Sequence, residues 1–138
     1  MVELHGWALI RESFAADSEE ENIDLIVSGL SREIKKLETD EKQLRIDYCN
    51  GEAFVTASKF ANHFSDDIKG IIDFFKHIAL VAPGSYGMLY LRDDEDTNGF
   101  HNAFQVFVLL KGRFELHRDP FLSPYIPTVE ENGESIER

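Results

Sequence analysis

A chain of 138 residues, 43% apolar and with eleven phenylalanines, has the size of one domain built around a single core. Fourteen basic residues against 26 acidic ones leave a formal charge of −12. Such a field repels nucleic acid and anionic membrane and favours cations or a basic protein.

In chain order, residues 2–14 read as a strand with Leu4, Ala8 and Ile10 on one face and Trp7 and Leu9 on the other, so cover is expected on both faces. The opening "MVELHGWALIRESF" has no basic region before its apolar residues, which argues against a signal peptide and for a cytoplasmic protein. No run reaches the roughly 18 apolar residues of a membrane span. The stretch "DSEEENIDLIVSGLSREIKKLE" predicts a helix, with Ser18 and Glu21 as a capping box and Glu19–Glu21 at the positive end of its dipole. Its stripe is Ile23, Ile26, Val27, Leu30, Ile34 and Leu37.

"LRIDYCNGEAFVTAS" predicts a hairpin turning at Asn50-Gly51, with Leu44, Ile46 and Tyr48 sharing a face with Ala53, Val55 and Ala57. Cys49 stands alone, which excludes an internal disulfide and fits a reducing compartment. A second helix follows in "SDDIKGIIDFFKHIALVAPG", capped by Ser65 and ended by Pro83-Gly84. "YGMLYLR" reads as a strand, and "FQVFVLLKGRFELH" as a long central strand, broken or bulged at Gly112. Pro120, Pro124 and Pro127 then prevent regular structure, while Phe121, Leu122, Tyr125 and Ile126 predict an extended arm lying on the body. Residues from about 130 to 138 read as a loose acidic tail. The whole, residues 1–138, is expected to be one α+β domain: two helices packed on a mostly antiparallel sheet of five to six strands, with an extended Pro-rich C-terminal arm.

The connection of about ten residues before the last strand exceeds the 2–5 of an ordinary hairpin loop. It holds "RDDEDTNGFHN", which from Asp94 runs Asp-x-Asp-x-Asn-Gly, the first half of a calcium loop. Asp96, Asn98, Gly99 and Asn102 take positions 3, 5, 6 and 9, but Gln105 at position 12 cannot supply the bidentate carboxylate. A metal site at Asp94, Asp96 and Asn98 is therefore the lesser reading, with a calcium-binding or regulatory interaction module as the function it would imply. The stronger reading is displayed charge. Asp93, Asp94, Glu95 and Asp96 put four carboxylates in one loop, which can steer a basic protein and block a groove that otherwise holds phosphates.

Nothing points to catalysis. His5, His63, His77, His101 and His117 lack metal-ligand spacing, Cys49 has no adjacent base, and there is no phosphate loop or nucleophile elbow. Phe60, Phe74, Phe75 and Phe104 fall on core stripes and not among basic residues, against nucleic-acid binding. No cofactor is called for.

"HGWA" at 5–8, "LYLRDDED" at 89–96 and "DPFLSPYIPTVEE" at 119–131, in that order, resemble the immunity protein 7 family of bacterial polymorphic toxin systems. The resemblance implies a small cytoplasmic α+β protein that binds a cognate toxin's C-terminal domain and protects the producing cell. Residues matching its segments are Trp7, Asp93, Asp94, Asp96, Asp119 and Pro120. Asp93, Asp94, Glu95, Asp96 and Asp119 are the expected toxin contacts. Trp7, Pro120, Phe121 and Tyr125 are structural or partner-binding. A basic nuclease is the toxin type that the acidic charge would suit.

Overall fold

The computed structural model describes residues 1–16, 19–37, 40 and 43–132. Its strands are β1 (Val2–Leu9), β2 (Leu44–Cys49), β3 (Glu52–Ala61), β4 (Tyr86–Asp93), β5 (Gln105–Leu110) and β6 (Arg113–Arg118). They form one antiparallel sheet in the order β2-β3-β1-β4-β5-β6. Two longer helices, α1 (Ile23–Lys36) and α2 (Asp66–Val81), join it, and a single turn, α3 (Tyr125–Thr128), lies in the C-terminal arm. The predicted α+β class is the one observed.

Alternation decides which face the helices cover. Val2, Leu4 and Ala8 of β1, Ala53, Val55 and Ala57 of β3, Leu89 and Leu91 of β4 and Leu109 of β5 point to one side. There they meet Val27 and Leu30 of α1 and Ile68, Ile71, Phe75 and Ile78 of α2, each at most 4% exposed. This is the core, and both predicted helical stripes supply it. The β2–β3 register matches the predicted one, with Leu44 opposite Ala57, Ile46 opposite Val55 and Tyr48 opposite Ala53. Asn50 and Gly51 take the positive φ angles, 53° and 77°, that the tight turn requires.

Five expectations need correction. The long strand after residue 104 is two strands. Lys111 and Gly112 both adopt positive φ, so the chain reverses into a β5–β6 hairpin and does not bulge. The second face of β1 lacks a helix over it: Trp7 is 47% exposed. Phe60 lies on that same open face and is 57% exposed, outside the core stripe. The first helix starts at Ile23, and Asn22 is its cap residue. The capping box rested on Ser18, which lies outside the described residues. Instead Glu12, from the segment after β1, accepts hydrogen bonds from the Asn22 backbone N–H (3.1 Å) and side-chain amide (2.9 Å). Its carboxylate thus stands at the positive end of α1. Ser65 precedes α2 as expected, but its hydroxyl makes no capping hydrogen bond.

Candidate partner-binding site

The end of β4 carries the acidic loop. Alternation sends Arg92 to the open face and Asp93 to the helix side, and the loop then runs outward before Gln105 begins β5. Its acids have different surroundings. Asp93 is buried, 8% exposed, and its Oδ1 accepts the Glu95 N–H at 3.0 Å. The idea that all four acids stand exposed therefore fails at Asp93, because it still belongs to the strand and faces the helices.

Asp94 is exposed and pairs with the Met1 amino group at 2.8 Å. That hydrogen bond holds its carboxyl below the ordinary 3.8. Glu95 is more than half exposed, with one oxygen 2.6 Å from His63 Nδ1. Asp96 Oδ2 accepts the N–H groups of Asn98 (2.8 Å) and Phe100 (2.9 Å), which folds the loop back on itself. Asp94 and Asp96 thus turn to different donors. Among the described residues no group of three or more His, Cys, Asp or Glu is placed to share a metal ion.

Asp119 stands apart from the loop acids and is 2% exposed. Its Oδ1 accepts the Phe121 N–H (2.9 Å), while Oδ2 accepts the Leu122 N–H (2.8 Å) and the Ser123 hydroxyl (3.0 Å). With all three donors drawn from its own next four residues, it is an inward bracket that shapes the start of the arm. Asn102 fixes the far end, donating to the Ile126 carbonyl (3.1 Å) and accepting the Ile126 N–H (2.8 Å). Between them the Ser123 hydroxyl accepts the Phe104 N–H at 2.9 Å. Tyr125 lies against Phe104 and under the Arg92 guanidinium, 3.8 Å from its ring centre.

The arm thus covers one end of the open sheet face. Desolvation where the Tyr90 ring meets Phe104, with a further contribution from the Asp119 carboxylate, raises Tyr90 above its ordinary 10.0. Phe121 remains 76% exposed and Pro120 is exposed. Trp7, at the other end of the open face, packs edge-on against Tyr86 with ring centres 6.0 Å apart.

On the helix side, a cleft of about 390 Å³ opens beside the acidic loop. Phe64, Ile72, Leu91 and Phe107 are its apolar lining, and Asp93, Glu95 and Asp96 are its acidic wall. The acids were legible as a cluster in the sequence. The apolar partners were not, because they come from α2, its preceding loop and β5, brought together only by the sheet order.

Three of the four remaining histidines have unlike neighbours. His5 stacks edge-on with Phe60, His117 sits near Glu115, and His77 borders Glu33 and Asp73. Cys49 is exposed. No helix among the described residues is long and apolar enough to cross a membrane.

Neither the curated proteins nor the solved structures contain a match to this sequence. The family model for immunity protein 7 matches residues 1–131, nearly the whole chain, including the strand β1, the acidic loop and the arm just described. The chain belongs to the immunity protein 7 family.

Proposed function

We propose that this protein neutralises one cognate bacterial toxin domain by binding it, and that it does so in the cytoplasm of the cell that makes the toxin. The observation that carries this reading is the family match over residues 1–131. The charge distribution supports it. With −12 overall and Asp94, Glu95 and Asp96 projecting from a loop whose backbone is tied down by internal hydrogen bonds, the surface suits a basic partner. A nuclease domain, which must itself attract phosphates, is the toxin class that such a surface fits best. No step of catalysis is assigned to the protein: it acts by occupying the toxin's active site or a neighbouring surface.

The test is binding to the C-terminal domain encoded by the adjacent upstream gene, measured at low and high salt, together with survival of cells that express both. Tight binding that weakens with salt, and protection of the cells, is the expected result. A correctly folded neighbour that does not bind would overturn the assignment for that pair.

A further inference from the structure

The cleft beside the acidic loop combines two features that the loop alone lacks. It has an aromatic and aliphatic lining in Phe64, Ile72, Leu91 and Phe107, and one wall includes the buried carboxylate of Asp93. Among the described residues Asp93 has no cationic partner within 4 Å, and its one side-chain hydrogen bond is the Glu95 N–H on Oδ1. Its second oxygen accepts no hydrogen bond from the described residues, which leaves it open to a donor on a partner. At the rim, His63 Nδ1 lies 2.6 Å from Glu95 and the Met1 amino group is taken by Asp94.

From this we infer that the cleft is a receptor for one arginine side chain of the toxin domain. The inference rests on the proposed immunity role and adds to it the partner's chemistry at one place. An arginine suits each part of the lining. Its three methylenes lie along Ile72 and Leu91, and its guanidinium plane stacks on Phe64 or Phe107. The fork of N–H donors then reaches the free oxygen of Asp93 and the carboxylates of Glu95 and Asp96. A lysine would supply the charge without the planar stacking. The volume of about 390 Å³ is ample for an arginine side chain.

The experiment needs no toxin and so stands or falls separately from the immunity reading. The full-length protein is titrated with n-butylguanidinium and, in parallel, n-butylammonium, following backbone amide shifts by NMR. Saturable shifts confined to Ile72, Leu91, Asp93–Asn98 and Gln105–Phe107 are expected, with the guanidinium binding more tightly. Asp93→Asn keeps an acceptor for the Glu95 N–H and removes the charge; affinity should fall roughly tenfold. Phe64→Ala, at a half-exposed position, should weaken it several-fold with the charges intact. Shifts spread evenly over acids elsewhere, such as Asp66, Asp67 and Asp73, or equal binding by Asp93→Asn, would overturn the inference.

Discussion

Asp119 and the acids at 94–96 are the same chemistry put to opposite uses. Asp119 turns inward, takes three hydrogen bonds from residues 121–123 and is sealed under the arm it shapes. Asp94 and Glu95 turn outward, each with an exposed side chain, Asp94 against the Met1 amino group and Glu95 against the His63 ring. What separates them is the supply of donors. After Asp119 the chain bends back at once, so its own N–H groups reach the carboxylate. In the loop, Asp93 and Asp96 take N–H groups of later residues, while the exposed carboxylates of Asp94 and Glu95 are left for solvent or a partner.

Removing Asp119 should therefore produce the largest effect, and it should be an effect on stability. Asp119→Ala removes the three hydrogen bonds that the Phe121 and Leu122 N–H groups and the Ser123 hydroxyl make to a buried carboxylate, and frees the arm, at a cost of about 2–4 kcal/mol. The urea midpoint measures it. A loss under about 0.5 kcal/mol would mean that the arm is held by Tyr125 and Asn102 alone.

The mirror-image experiment acts on association. Reversing Asp94 and Glu95 to lysine should leave the urea midpoint within about 0.5 kcal/mol, since exposed ion pairs contribute little. It should slow binding of the toxin domain at least about tenfold at low salt and flatten the salt dependence. Stopped-flow association rates at two ionic strengths read this out. Unchanged rates would move the partner to another surface, and the open sheet face with Trp7 and Tyr86 is then the one to test.

Legibility in the sequence followed the same division between near and far. Asn50-Gly51 announced its hairpin because both residue types tolerate positive φ. Lys111-Gly112 makes an equivalent reversal, but lysine is no turn signal, and the flanking strands ran together on the page. The helical stripes were readable because one period of 3.6 residues sufficed. Asp93 was not separable from Asp94, since only strand alternation, continued one residue past the apparent end, turns it toward the helices. Trp7 had its face correctly assigned by alternation, yet whether anything covers that face depends on where two distant helices dock. Asn102, which looked like a ninth-position metal ligand, instead ties down Ile126, 24 residues along the chain.

That role of Asn102 gives a smaller prediction. Asn102→Ala removes the pair of hydrogen bonds to the Ile126 backbone at a partly exposed site, where water replaces part of what is lost. The expected cost is about 1 kcal/mol. Hydrogen exchange at the Ile126 amide should accelerate while exchange in β1 and β3 stays as it was. Acceleration across the whole sheet would mean that the arm and the core unfold together.

The least effect is one of pH, and it belongs to the inward half of the comparison. Desolvation beside Phe104 raises Tyr90 above 10.0, with the Asp119 carboxylate adding to the rise. The folded protein therefore holds the phenolic proton more tightly than the unfolded chain does. Stability from this group is fully present below pH 10 and declines as pH rises from there through the folded-state value, because the unfolded chain loses its proton first. Urea midpoints should fall as pH rises above 10.0 in the native protein, and Tyr90→Phe should remove that part of the slope. Asp119→Asn should shallow the slope only slightly, because desolvation is the larger cause. A slope abolished by Asp119→Asn alone would instead make the carboxylate, and not desolvation, the dominant influence on Tyr90.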